Sequence, residues 1–223
     1  MAMGGRTAML TNADFLTLSQ WLSPAYPVGA FAYSHGLEAL ADHGDVGDTE
    51  GLCAFLEDIL RFGSGHSDAL FLAAAYQADD SAELCDINQT ARAFAPSKER
   101  LFETEQQGHA FGSVTSQIWK TDPKGLVYPV ALGYAAQCEG LPLRPTSTLY
   151  LQAFVSNLVA AGQRLCPIGQ TDAQRIVRKL SPLCAQIAQM TSDGNLDHLT
   201  STAFLADIAS MKHETQYSRI FRT

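Results

Sequence analysis

Apolar residues recur at helical spacing along most of the chain. Leu52, Phe55, Leu56 and Ile59 share one helix face, and similar stripes occupy most other segments. No run between turn signals alternates apolar and polar residues with the period of two that is typical of a half-buried strand. The pattern therefore predicts about ten helices in an all-α bundle, forming one domain over residues 1–223.

Capping residues and turn formers mark the boundaries of these segments. The predicted helices start near Thr11, Phe31, Asp48, Ser67, Ser81, Ser97, Leu126, Thr146, Thr171 and Leu196. Gly108 and Gly112 form G-x-x-x-G, which predicts close contact with another helix. Pro182 should kink or break the helix that starts at Thr171, because proline removes a backbone hydrogen bond.

Between the first two predicted helices lies a proline corner, residues 20–40, with the sequence QWLSPAYPVGAFAYSHGLEAL. Pro24 and Pro27 stop a helix because each lacks an N–H and biases its predecessor towards extended geometry. One interpretation is a rigid corner that supports the core. Another is a nucleophile elbow at Ser34, since residues 32–36 read A-x-S-x-G, but an elbow requires a preceding strand that this sequence does not predict.

Composition narrows the class of protein. Hydrophobic residues make up 46% and charged residues 17%, so a large core is possible and the sparsely charged surface suggests that partners cover part of it. A net charge of −8 without a basic run argues against nucleic acid or anionic membrane as a partner. No apolar run is long enough to span a bilayer, and no secretory signal pattern is present.

The cysteines favour a cytoplasmic location. Their number is odd, none forms C-x-x-C, and all lie in apolar segments: Cys53, Cys85, Cys138, Cys166 and Cys184. Reduced, buried thiols are the expected state.

The spacing of reactive side chains predicts neither a catalytic site nor a metal site. The six histidines form neither H-E-x-x-H nor an i, i+4 pair, so they do not encode four convergent zinc ligands. Gly63-Ser64-Gly65 precedes a helix, where an anion could bind, but a helix–helix turn explains it better. Glu103 and Glu105 are interpreted as a solvated or hydrogen-bonded helix face.

The two chain ends differ in character. Residues 1–10 have no periodicity and predict a loose arm. Residues 211–223 mix three cations with Tyr217, Ile220 and Phe221. Aromatic and arginine residues are preferred anchors of protein interfaces, so this segment is predicted to be a partner-binding tail. The alternative is a tail docked on its own domain.

Several sequence blocks together resemble the urease accessory protein F family. They are SPAYPVGAFAYSHGLE at 23–38, ETEQQGHAFG at 103–112, YPVALGYAA at 128–136, RLCPIGQTDAQRI at 164–176 and DIASMKHETQYSRIFR at 207–222. The blocks follow the family's order and span almost the whole chain. The first and last are specific, whereas the middle ones would be weak alone.

The resemblance implies an all-α cytoplasmic protein without catalytic activity or a cofactor of its own. Family members bind the urease accessory protein D, called H in some organisms, and recruit the GTPase accessory protein G. They form homodimers, and the assembly transfers nickel to apo-urease. An alternative role is regulation of the GTPase, with an arginine such as Arg219 or Arg222 acting as a finger in trans.

Only a partner-binding role is carried over to particular residues. The matching positions are Pro27, Gly29, Phe31, Ser34, Gly36, Glu38, Arg164, Gly169, Gln170, Asp207, Lys212, His213, Glu214, Tyr217, Arg219 and Arg222. Some of these are expected to hold the fold instead.

Overall fold

The computed structural model describes residues 10–223, and over this range the chain forms ten α-helices, two short 3-10 turns and no strand. The helices are α1 (Asn12–Trp21), α2 (Leu37–His43), α3 (Thr49–Phe62), α4 (Ser64–Gln77), α5 (Ser81–Ala93), α6 (Lys98–Ile118), α7 (Tyr128–Cys138), α8 (Leu143–Leu165), α9 (Gln170–Met190) and α10 (Phe204–His213). The 3-10 turns are Ala30–Ala32 and Leu196–His198. The predicted all-α class is confirmed. Of the predicted loose arm, only Leu10 lies within the described residues, and it is exposed.

Helix α8 lies at the centre of the bundle. It packs against α3, α4, α7 and α9, and its Leu151, Val155 and Leu158 are almost wholly buried. Helices α4 and α7 cross closely, because a Cβ on Gly133 would lie 2.2 Å from the backbone oxygen of Leu72. The apolar stripes predicted from the sequence therefore form the observed core.

Several predicted helix starts are correct because their caps form. Thr11 and Asp14 make a reciprocal capping box at the start of α1. The side chains of Asp48 and Ser97 accept backbone N–H groups at the starts of α3 and α6. These are local interactions, so a sequence pattern is enough to identify them.

Other predicted boundaries are wrong. Helix α2 starts at Leu37 rather than Phe31, because His35 and Gly36 adopt left-handed φ angles of 56° and 79°. Helix α4 starts at Ser64, before the predicted Ser67. Likewise, α8 starts at Leu143 before Thr146, and α10 starts at Phe204, well after Leu196.

Proline and glycine also behave differently from the simplest expectation. The sequence predicted a kink or a break at Pro182. Helix α9 continues through this proline, so the break is wrong, whereas the kink stays a prediction. Leu180 and Leu183 on either side are buried. Gly108 does allow close contact, with a Cβ position 2.2 Å from the backbone oxygen of Leu126. The contacted segment leads into α7 rather than being a helix face.

The expectation of buried thiols is correct for three cysteines and wrong for two. Cys53, Cys166 and Cys184 are buried, whereas Cys85 and Cys138 are exposed. All five are free thiols. The two exposed ones lie on the outer faces of α5 and α7, where an apolar neighbourhood in sequence does not mean burial.

Candidate functional site

The C-terminal tail folds back onto the proline corner, and Glu38 is the centre of this contact. Its carboxylate is buried near the start of α2. It accepts the backbone N–H groups of Ile220 at 2.6 Å and Phe221 at 2.8 Å. One buried carboxylate therefore accepts two backbone N–H groups of the tail. Hydrogen bonds to an ionised acceptor are strong.

A buried histidine connects this carboxylate to α6. His213, at the end of α10, is wholly buried. Its Nε2 lies 3.1 Å from Glu38, and its Nδ1 lies 2.7 Å from Glu99. Arg219 donates to the other oxygen of Glu99 at 2.7 Å. The chain Glu38–His213–Glu99–Arg219 thus joins α2, α10, α6 and the tail.

The last residues pair with the corner through the backbone. The N–H of Arg222 donates to Ala32 O at 2.8 Å, and the N–H of Ser34 donates to Thr223 O at 2.9 Å. The hydroxyl of Ser34 donates to the same oxygen of Thr223. Ser34 is wholly buried, and no strand precedes it in the described part of the chain. The hydroxyl therefore has a structural role, and the elbow geometry is not formed.

Arg164 from α8 completes the docking of the tail. Its guanidinium carbon lies 5.0 Å from the ring centroid of Phe221, which is buried. Its Nη1 donates to Phe31 O at 3.2 Å. A cation over an aromatic face is attractive, so Arg164 holds both the tail and the corner.

The structure divides the predicted site residues into three groups. Those in the contact between corner, tail and α8 are Phe31, Ser34, Glu38, Arg164, His213, Arg219 and Arg222. Those at α10 are Gly36 and Glu214, which join it to α2 and α6, and Asp207, which accepts the hydroxyl of Ser201 just before the helix. The remaining residues, Pro27, Gly29, Gly169, Gln170, Lys212 and Tyr217, are exposed or half-buried, and none joins the contact between corner and tail.

Helix α10 presents an apolar face to solvent. Phe204, Leu205, Ile208 and Met211 are each at least half exposed, and their spacing places them on one side of the helix. Tyr217 and Ile220 in the tail are also exposed. Exposed clusters of large apolar side chains are typical of interaction surfaces. We call these four α10 residues the α10 face.

Sequence reasoning missed a buried polar network beneath the corner. Arg100 forms an ion pair with Glu103, and His35 Nε2 lies 2.8 Å from both of them. Gln107 and Thr223 also donate to Glu103, at 2.9 Å each. The i, i+3 spacing of Arg100 and Glu103 could have indicated this ion pair. Glu103 is the first residue of the block at 103–112. Glu103 is not solvated, so the hydrogen-bonded alternative is the correct one.

The network sets the protonation states of its members. Burial raises the pKa of Glu103, but Arg100 and His35 outweigh burial and hold it at about 2. Burial and the nearby Arg100 lower the pKa of His35, against the opposing effect of Glu103. At neutral pH, Glu103 is therefore ionised and His35 is neutral.

Two classes of feature are not found within residues 10–223. No three His, Cys, Asp or Glu side chains there are placed to hold a metal ion. None of the helices in this range combines the length and the hydropathy needed to cross a bilayer.

Known proteins with similar sequences are urease accessory proteins. One from Ruegeria pomeroyi is 55% identical over 213 residues, covering 96% of this chain and 98% of the relative. One from Roseobacter denitrificans is 51% identical over 218 residues, covering 98% and 97%. Both are named urease accessory protein UreF. A family model described as UreF matches residues 46–181, and the chain belongs to this family.

Proposed function

We propose that this chain is a non-catalytic cytoplasmic scaffold in urease maturation. It binds the D-type accessory protein, called H in some organisms, and recruits the G-type GTPase for nickel insertion into apo-urease. Membership of the UreF family supports the place in urease maturation. The α10 face is the observation that carries the partner-binding role.

The chemistry of this surface suits a protein partner. The four residues of the α10 face are large and apolar, and burial of apolar surface contributes about 25 cal/mol per Å² before ordering costs. Lys212, Arg219 and Arg222 lie on the same helix end and tail. Large apolar residues and arginines are both enriched at protein interfaces.

A matched pair of charge insertions tests this surface. Ile208→Asp places a charge on the α10 face, whereas Ile118→Asp places the same charge at the exposed end of α6. We expect Ile208→Asp to abolish co-elution with the D-type protein in size-exclusion chromatography and Ile118→Asp to preserve it. Both variants should melt close to the wild type, because both isoleucines are at least half exposed. Equal co-elution of the two variants would exclude the α10 face as the docking surface.

Regulation of the GTPase is the second candidate function. An arginine finger stabilises transition-state charge and accelerates hydrolysis by about 10³–10⁵. Arg219 is held by Glu99 in this structure, so it would have to leave that carboxylate to act in trans. GTP turnover by the G-type protein, measured with the wild type and with Arg219→Ala and Arg222→Ala, separates a scaffold from a regulator. A scaffold leaves the turnover rate unchanged by either substitution.

The proposal includes a homodimer and nickel that is held by the assembly. Analytical ultracentrifugation should show a dimer, and a monomer at high concentration that the D-type partner leaves unchanged would contradict this.

After dialysis against a weak chelator, the isolated chain should retain no stoichiometric nickel. Retention of about one nickel per chain would assign the metal to this chain instead.

A further inference from the structure

A cavity of about 500 Å³ lies between α1, the proline corner, α6 and α8. Its volume is within the range of small-molecule sites. Aromatic side chains form much of its wall: Trp21, Tyr26, Phe31, Tyr128, Tyr150 and Phe154. Such walls offer both apolar contact and the negative faces of aromatic rings.

The floor of this cavity is charged. Asp68 from α4 and Arg100, Glu103 and His35 from the buried network all line it. Arg100 is paired with Glu103, whereas Asp68 accepts a hydrogen bond from the hydroxyl of Tyr150 at 2.8 Å. When both carboxylates are ionised, Asp68 and Glu103 carry two negative charges and Arg100 carries one positive charge. The floor then has one excess negative charge.

The state of Asp68 fits this arrangement. Burial raises its pKa to about 6, and the nearby Glu103 acts in the same direction, while Arg100 and Tyr150 oppose them. Burial and Arg100 lower the pKa of His35, so the imidazole does not supply the missing positive charge at neutral pH. The excess charge thus persists above about pH 6.

We propose that the cavity binds a small organic cation, in which an ammonium or guanidinium group lies at Asp68 and an apolar body lies against the aromatic walls. Charge complementarity selects the cation, and the rings add cation–π attraction. This site is separate from the α10 face and does not depend on the scaffold role. No residue of the α10 face lines the cavity.

Three probes that share a phenethyl group and differ in charge test the proposal. Phenethylammonium is the cation, 2-phenylethanol the neutral analogue and 3-phenylpropionate the anion. In ligand-observed NMR titrations of the full chain, we expect the cation to bind with a Kd on the order of 1 mM or tighter. The alcohol should bind about tenfold more weakly, and the anion should not bind. Equal binding of cation and alcohol, or no binding of the cation, would overturn the proposal.

Two variants locate the site, and a third controls for charge. Asp68→Asn should weaken binding of the cation about tenfold and leave the alcohol unchanged. Ala153→Leu, which fills the cavity, should weaken both. Asp122→Asn removes the same charge from an exposed residue beside Lys124 and should change neither. Unchanged binding in Asp68→Asn or in Ala153→Leu would place the cation elsewhere.

A pH titration of the wild type keeps the test decisive if a variant fails to fold. Around Asp68, the charged and titratable groups are Arg100, Glu103, Tyr150 and His35 of the same cavity, together with Asp207 across a smaller hollow. Arg100, Glu103 and Tyr150 do not change charge between about pH 7.5 and about pH 5, and any protonation of His35 in this range adds positive charge, so it acts in the same direction as protonation of Asp68. The affinity for the cation should therefore fall about tenfold as the pH drops through about 6, while that for the alcohol stays level. A flat profile for the cation would contradict the role of Asp68.

Discussion

Single buried carboxylates carry much of the contact between the tail and the body of the protein. Glu38 accepts two backbone N–H groups and contacts His213, so this carboxylate makes three contacts. The carboxylate of Glu103 likewise makes polar contacts with Arg100, His35, Gln107 and Thr223. Buried anions of this kind are stable only with their donors in place.

Replacing the charge of Glu38 should weaken the fold. We expect Glu38→Gln to lower the free energy of unfolding by about 2–3 kcal/mol, because hydrogen bonds to charged groups are lost in a buried site. Urea denaturation measures the change. Glu57→Gln is the control, since Glu57 forms only an exposed i, i+4 pair with Arg61, and it should cost about 0.5 kcal/mol or less. Equal effects of the two substitutions would show that the Glu38 contacts do not form in solution.

Glu103 should make stability depend on pH in the acid range. Its folded pKa of about 2 is below the reference value of 4.5, so its contribution is fully present above about pH 4.5 and is lost as the pH falls to about 2. The shift corresponds to roughly 3 kcal/mol. The difference in unfolding free energy between wild type and Glu103→Gln should therefore be large at pH 7 and shrink towards pH 2. A difference that is constant with pH would contradict the ion pair.

At the scale of elements, α2 and α10 depend on a backbone approach. A Cβ on Gly36 would lie 2.6 Å from Ser210 N, and α2 starts directly after this glycine. Gly29 has a similar left-handed φ, 72° against 79°, but nothing lies within 4 Å of its Cβ position. Gly29 is therefore required only by its left-handed φ, whereas Gly36 is required both by its φ and by the close packing of α10.

Alanine substitutions should distinguish these two requirements. Gly29→Ala carries only the cost of a left-handed conformation, about 1–2 kcal/mol. Gly36→Ala carries that cost and also forces α10 away from α2, so it should destabilise by at least about 2 kcal/mol more. Thermal and urea unfolding of both variants provides the comparison. Similar losses would mean that α10 is not packed as closely as the structure shows.

At the scale of the molecule, the tail combines buried and exposed side chains that the sequence could not separate. Phe221 and Thr223 are buried in the body of the protein, whereas Tyr217 is fully exposed and Ile220 largely exposed. The same short segment thus holds the fold with some side chains and leaves others exposed, where we propose that a partner binds. The two proposed interpretations of the tail are therefore compatible.

Paired substitutions in the tail should separate stability from binding. Phe221→Ala should lower the free energy of unfolding by about 3 kcal/mol, since a buried aromatic is lost. Tyr217→Ala should change the free energy of unfolding by no more than about 0.5 kcal/mol and weaken co-elution with the D-type protein.

Deletion from Met211 onward should leave a protein that is helical by circular dichroism. It should melt at a lower temperature than the Phe221→Ala variant, because buried His213 and Thr223 are also removed. An unchanged melt after this deletion would show that the tail is not docked in solution.

Sequence alone determined what depends on neighbours along the chain. Helical periodicity defined the all-α class and the apolar stripes of α3 and α9, and capping side chains defined the start of α1. These signals are local, because a helix forms its hydrogen bonds within itself. Five sequence blocks were enough for the family resemblance, which the matches over nearly the whole chain confirmed.

Only the tertiary structure decided which distant residues meet. Glu38 and Phe221 are 183 positions apart, and nothing in their local pattern indicates a hydrogen bond between them. The left-handed φ of His35, the uninterrupted helix at Pro182 and the burial of Glu103 each result from packing against other elements. Periodicity shows which side of a helix is apolar, but the partner of that side is determined by the long-range packing of the whole chain.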